Sequence, residues 1–489
     1  MLKDEEYFEF VNRDGRVVAS LDDRMSFTAS EKTAIGIFES AFAEVDTARK
    51  KIEKLEIERT IASADKRPAV LASIAEANAE LNKASAAMEA ATGRVTAQLS
   101  PRIPPEPTGE RGARAIIWEW KDPRTAVVST VVGPESLAVI VTTANAQRGY
   151  VRKIPEAQLR KLVDDLRSEI VKVRFERSDP RPAAQALYNE LVKPIERDLA
   201  AANIRTVVWS LDKFLRYVPV AALWDAKQGY VVQRYASVVL ALAGRQDLAF
   251  KPVNKQQWHA FGVGTSKPSG KLDALANVPM ELGAIVNDPS VERKANGRPG
   301  LIAGKELLDE KFTYAEFRKS LGAAYPFTHA ATHFVFIPGT KAEGLNSYLL
   351  MGNGEKLTLA QVKSSDNIFA GVELLTLSAC DTGYGGKTAD GREIEGLGVL
   401  AQRKGARAIM ATLWPVNDES TRDVMVGFYR SYLKPDLTKA EALRQAQLAL
   451  LGEPDKAAGR KPMRPVNGAS KRFAHPYFWS PFILIGNWR

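Results

Sequence analysis

Apolar residues recur at helical spacing near the N-terminus and at strand spacing beyond it. Residues 1–30 mix short apolar runs with turn residues and resist assignment. Thr28 or Ser30 then fits an N-cap before EKTAIGIFESAFAEV, and a composition rich in Ala, Glu, Lys and Leu runs to residue 99. Ile57, Ile61 and Ala64, then Leu71, Ile74 and Leu81, fall at helical spacing. Lys66-Arg67-Pro68 interrupts the run, because proline removes a backbone donor and favours a turn. The pattern predicts an antiparallel helical hairpin or short coiled coil over 1–99, built for packing rather than chemistry. SPRIPPEPTGERGARA (100–115) has prolines that block helix and little to bury, so it reads as a linker.

From 116 the period changes. AIIWEW, TAVVSTVV and SLAVIVTT are β-branched runs bounded by turn residues, which predicts strands. PEAQLRKLVDDLRSEIVKV is amphipathic with helical period, as is AAQALYNELVKPIERDLAAA, whose proline marks a kink. TVVWSL reads as a buried strand, and YVVQRYASVVLAL holds one or two more. From 256 strands and helices alternate regularly: WHAFGVG, PMELGAIVNDP, YAEFRKSLGAA, PFTHAATHF, VELLTLSAC, EIEGLGVLAQRKG, ARAIMATLW, DESTRDVMVGFYRSYL, TKAEALRQAQLALL and YFWSPFILIGNW. This alternation predicts an α/β fold, a mostly parallel sheet with helices on both faces. The divisions expected are a helical region 1–99, a linker 100–115, a first half 116–255 and a second half 256–489.

Composition narrows the function classes. The apolar share of 45% and charged share of 26% belong to a globular chain rather than a disordered one. No apolar run reaches the roughly 18 residues of a membrane span, and MLKDEEYFEF lacks the basic start and apolar core of a signal peptide. A cytoplasmic, non-membrane protein is the expectation. The net charge of +10 admits an anionic partner, but it is scattered. Its densest stretch, KPMRPVNGASKRF (461–473), lacks aromatics for base stacking, so direct nucleic-acid binding is not expected. One cysteine, Cys380, leaves no disulfide framework and no multi-cysteine zinc site.

Two reactive side chains sit at strand ends, where open parallel sheets bind ligands. His333 lies at the end of PFTHAATHF, one residue before Phe334, and Cys380 closes VELLTLSAC. SYLLMGNGEKLTLAQVKSSDNI between them has room for a short hairpin and a helix, and so for a return along a neighbouring strand. A thiol is largely protonated at neutral pH, and an adjacent imidazole can remove its proton and later protonate a leaving amine. The backbone N–H groups of Cys380 and Phe334 are the candidate oxyanion donors. Glycines 383, 385 and 386 in the following DTGYGG loop permit close approach of a substrate backbone. The alternative is plain packing for both residues: a lone cysteine is ordinarily a small buried apolar side chain. His329 lies four residues before His333, on the same face of an unbroken strand. It either supports the site or packs; extended spacing puts the two about 13 Å apart, too far to share a zinc ion.

These residues carry a resemblance. HAATHF (329–334), NSYLLMGNG with KLTLAQV (346–362), LLTLSACDTG (374–383), EGLGVLAQRKGARAIMATLWPVND (395–418) and HPYFWSPFILIGNW (475–488) resemble, in order, the motifs of the CHAT domain. WSLDKFLRYVPVAALWD (209–225) resembles the strand and loop of its first half, without the more usual Pro-Asp-Gly. That family is caspase-like, belongs to the clan of caspases, separases and gingipains, and is often fused to tetratricopeptide repeats. The resemblance implies a cysteine endopeptidase with a Cys380–His333 dyad, needing no metal or organic cofactor. It also implies that 116–255 is a pseudo-caspase-like half and 256–489 the catalytic half. A protein substrate and an activating partner or sensor are expected, and 1–99 reads as the possible end of a repeat array. Relatives often carry glycine after the catalytic histidine, where this chain has Phe334, whose side chain narrows the cleft or holds it closed. Clan members with an acidic pocket cleave after Arg or Lys, so Asp381, Asp390 and Asp418 are pocket candidates. Asp418 equally suits a helix cap, and Trp414 either a pocket wall or the core. A catalytically silent scaffold for protein association is the competing reading.

Overall fold

The computed structural model describes residues 122–173, 177–240, 257–270, 272–292, 299–321, 325–335, 337, 346–365, 367–381, 398, 400–414, 418–452 and 472–489, together with 66–99 and positions between 40 and 63. The chain forms two compact units.

The first unit holds the N-terminal helices and two pieces of the crossover between His333 and Cys380, residues 337–347 and 358–366. Helix α1 spans Arg67–Leu99 and follows a turn in which the Lys66 N–H donates to the Ser63 carbonyl. Val45, Ala48 and Ile52 pack against Ala77, Leu81 and Ala84, and Lys51 pairs with Glu80 at 2.8 Å. Leu71, placed by sequence on the packed face, is 49% exposed, while Ile74 and Leu81 are buried. Ala360, from the crossover, completes this core.

The second unit is α/β. Its strands are Thr125–Val132 (β1), Ser136–Thr142 (β2), Gln147–Lys153 (β3), Thr206–Ser210 (β4), Trp224–Asp225 (β5), Gly229–Tyr230 (β6), Ala236–Val239 (β7), Ala260–Gly264 (β8), Val286–Asn287 (β9), Ile302–Leu308 (β10), Phe327–Val335 (β11), Tyr348–Leu350 (β12), Lys356–Thr358 (β13), Leu374–Asp381 (β14), Ala408–Thr412 (β15) and Phe482–Gly486 (β16). Between them run α2 (Glu156–Lys172), α3 (Arg181–Leu191), α4 (Glu196–Ala201), α5 (Val278–Ile285), α6 (Tyr314–Leu321), α7 (Leu359–Ser364, in the first unit), α8 (Asp418–Tyr432), α9 (Lys439–Leu451) and α10 (Pro476–Trp479). Pro194 lies in a short 3-10 turn between α3 and α4, the break expected of proline.

One sheet runs in the order β3-β2-β1-β4-β7-β16-β15-β14-β11-β8-β10-β9, with β12 and β13 joined beside β11. Pairing is parallel from β1 through β4 and β7 to β16, and again from β15 through β14, β11, β8 and β10 to β9. The β1-β2-β3 meander and the β15–β16 pair are antiparallel. The closing strand β16 thus joins the two halves, and the apolar core cluster that holds Ala126 and Trp488 draws residues from both. Trp209, Trp479 and Trp488 are fully buried in it, and each such side chain contributes about 1.5–3 kcal/mol or more.

Helices cover both faces near the site. Consecutive strand residues point to opposite faces. Phe261 stacks on Phe317 of α6, while its neighbour Gly262 meets Leu282 of α5 and Val286. A Cβ on Gly264 would lie 2.6 Å from Val278 Cγ1 and 2.9 Å from the Ala331 carbonyl oxygen, so only glycine lets α5 lie this close to β8 and β11.

Candidate active site

The histidine strand β11 and the cysteine strand β14 are parallel neighbours. Their register runs regularly from Phe327↔Leu374 to Ala331↔Ser378, then shifts, and resumes at Phe334↔Cys380 and Val335↔Asp381. β11 therefore carries one extra residue, a bulge at Thr332-His333. The Thr332 hydroxyl donates to the Leu350 carbonyl at 2.6 Å and so ties the bulge to β12. The bulge has two consequences. Phe334, not His333, stands opposite Cys380, and His333 adjoins that pair. The alternation that would have put His329 and His333 on one face is broken, and the two rings lie in different surroundings.

His333 is half-buried, and its Nε2 lies 2.9 Å from the Asp273 carbonyl oxygen. A carbonyl oxygen only accepts, so Nε2 is the donor of this hydrogen bond, and in the tautomer that makes it the lone pair lies on Nδ1. The loop that supplies this carbonyl is tied at its base. The Ser266 N–H and hydroxyl both donate to the Asp309 carboxylate, at 2.7 and 2.9 Å, and the Leu275 N–H donates to the Ser266 carbonyl. Leu275 also packs against Val278, Leu282 and Ala331.

His329 is completely buried. Its Nε2 donates to Glu281 Oε1 of α5 at 2.7 Å, and its Nδ1 lies 3.3 Å from the Tyr429 hydroxyl of α8. The Ser378 hydroxyl also donates to Glu281 Oε1, at 2.6 Å, and Thr376 Oγ1 lies 2.9 Å from the Tyr429 hydroxyl. Burial pushes the Tyr429 phenol far above its ordinary range, so it remains a neutral hydroxyl. Both nitrogens of His329 are thus occupied by protein groups. These hydrogen bonds run Ser378–Glu281–His329–Tyr429–Thr376, and the backbone of β14 closes the ring, so it links the histidine strand, the cysteine strand and two helices.

The other sequence candidates are placed as follows. Phe334 is 1% exposed, so its side chain lies in the core and not across a cleft. Its backbone is flanked by Cys380 on one side and Leu349 on the other. Cys380 and Asp381 end β14, and Asp418 opens α8; their side chains lie outside the described residues, as do Asp390 and the DTGYGG loop. Trp414 is 2% exposed. Its indole N–H donates to the Tyr477 carbonyl at 3.2 Å, and its ring faces the Arg167 guanidinium. That places Trp414 in the core. Glu281, Tyr429, Thr376, Ser378 and Asp273 were not singled out from sequence. Glu281 alone left a trace, as the single charged residue of the apolar helix VPMELGAI.

The CHAT domain profile matches residues 181–487, well over half of the chain. The chain belongs to the CHAT domain family. Tetratricopeptide repeat protein 28 of Mus musculus is 24% identical over 364 residues, which is 64% of this chain and 14% of that protein. The chain therefore spans a small part of its curated relative. Among solved structures, the Saccharomyces cerevisiae separase–securin complex aligns at a TM-score of 0.45 and 8% identity, over 90% of this chain and 37% of that one. The Porphyromonas gingivalis RgpB pro- and mature domains align at 0.36 and 7%, over 68% and 76%. The CHAT profile begins after β3, yet β1–β3 share the sheet of the matched region. No described helix is long and apolar enough to cross a membrane.

Proposed function

We propose that this CHAT domain is a cysteine endopeptidase in which Cys380 is the nucleophile and His333 its base. The observation that carries the reading is the register: both residues end adjacent parallel strands, and the His333 ring is held through Nε2 so that Nδ1 is the basic nitrogen. In the proposed reaction Nδ1 takes the thiol proton and the sulfur attacks the peptide carbonyl carbon. The N–H groups of Cys380 and Phe334 are the proposed donors to the resulting oxyanion. Collapse expels the amine, which takes the proton from Nδ1, and leaves a thioester on Cys380. Water, deprotonated by the same nitrogen, then releases the acid.

Asp381, Asp390 and Asp418 are proposed to line an acidic pocket that receives Arg or Lys of a protein substrate. An activating partner is proposed to act through the helical unit. Ala360 supports this, because it belongs to the core of the N-terminal helices and lies in the chain between His333 and Cys380. The mouse relative's name supports reading 1–99 as the end of a repeat array. A peptide-library digest read by mass spectrometry tests the function. Cleavage after basic residues by the wild type and none by Cys380→Ala supports it. Equal digestion by both proteins, or no digestion with any activating partner, favours the silent scaffold.

A further inference from the structure

We propose that Glu281, with His329, Ser378, Thr376 and Tyr429, is a positioning device that fixes the ends of the histidine and cysteine strands against each other. This rests on the dyad proposed above, and it adds residues that touch neither His333 nor substrate. Three observations carry it. First, the ring is closed through the backbone of β14, which joins Thr376 to Ser378. Glu281 Oε1 accepts from both His329 of β11 and Ser378 of β14, and the Tyr429 hydroxyl contacts both His329 and Thr376 of β14. Each strand is thereby held twice, once from α5 and once from α8. Second, the ring sits directly below the bulge. Ser378 pairs with Ala331, the last regular pair before the shift, and stands two residues before Cys380. Third, the group is costly unless complete. Glu281 and His329 are 1% and 0% exposed, and a buried charged or polar group left without a partner is strongly destabilising.

The arrangement has a physical consequence. A bulge loosens a ladder locally, because its extra residue is unpaired. A site that places two reactive atoms at the ends of such a ladder needs another source of order. The ring supplies it from below, on the side chains nearest the shift. Glycines at 262 and 264 matter for the same reason, since they allow α5 to bring Glu281 to the sheet.

The test uses the full chain with Ser378→Ala, Ser378→Thr, Glu281→Gln and, as a control, Lys439→Met. Lys439 contacts Glu373 beside the opposite end of β14, so its loss destabilises the same strand away from the site. Amide hydrogen exchange is read in peptides covering 327–335 and 374–381, and labelling of Cys380 by a peptidyl acyloxymethyl ketone gives inactivation rate and affinity separately. Ser378→Ala and Glu281→Gln are expected to speed exchange at the C-terminal ends of both strands by about tenfold or more. They are expected to lower the maximal labelling rate about tenfold with affinity unchanged. Ser378→Thr, which keeps the hydroxyl, restores both. Lys439→Met lowers Tm without either change. Unaltered exchange at the two strand ends, or equal effects of Lys439→Met and Ser378→Ala, overturns the proposal. If the wild type takes no label, the peptidase reading fails, and exchange alone still decides whether the ring sets the strand ends.

Discussion

At the residue scale, the two histidines of HAATHF have parted roles. His333 donates through Nε2 to one carbonyl, whereas His329 is enclosed by Glu281 and Tyr429. Sequence spacing alone left His329 either a support or a packing residue, because its partners lie 48 and 100 residues away. Replacing His333 with Ala is expected to slow Cys380 labelling by about 10²–10⁴-fold, the usual scale for loss of a general base, with little change in Tm. Trp414 gives a second residue-scale test. Trp414→Phe leaves the Tyr477 carbonyl without its indole donor and is expected to cost about 1–3 kcal/mol in a denaturant titration. Cleavage preference should not change, because the indole lies in the core and not against a substrate.

At the element scale, the legible parts were those with a clear period. β-branched runs marked β1 and β2, short largely apolar runs marked β4, β11, β14 and β15, and the proline at 194 marked the break between α3 and α4. β3 escaped because QRGYVRK is an exposed edge strand without apolar alternation. β10 escaped because IAGKELL mixes glycine and lysine into a short run. The bulge left no sequence signal at all. It depends on how β11 pairs with β14, not on the composition of either. Nor did spacing reveal why WHAFGVG has two glycines; the reason is the closeness of α5. Gly264→Ala is expected to cost about 1–3 kcal/mol by thermal or chemical unfolding, because its Cβ would meet Val278 and backbone at Ala331. In the helical unit, Leu81→Ala is expected to loosen the hairpin by about 2–4 kcal/mol, read as faster exchange in 67–99.

At the scale of the whole molecule, the two halves read from sequence share one sheet. β16, the last strand, stands between β7 of the first half and β15 of the second. Arg167 of α2 makes a similar tie, donating to the Tyr217 carbonyl and to the Leu413 carbonyl just before Trp414. The C-terminal end is anchored by charge. Buried Lys439 contacts Glu373 and the Arg489 carbonyl, and Arg407 contacts the other oxygen of Glu373 at 2.9 Å. Burial lowers the Lys439 pKa while Glu373 opposes that shift. Lys439→Met is expected to cost up to about 3 kcal/mol, softened by the remaining Arg407, and to be seen as a lower Tm.

If His333 makes Cys380 a nucleophile, loss of the imidazole must slow the reaction of the thiol. Because Cys380 is the only cysteine in the chain, intact-mass spectrometry reads its modification without ambiguity. The protein is incubated with a peptidyl acyloxymethyl ketone carrying a basic residue at the reacting position, alone and with an activating partner. One adduct is expected on the wild type, none on Cys380→Ala, and a rate at least about a hundredfold lower on His333→Ala. Labelling of His333→Ala at the wild-type rate would contradict this.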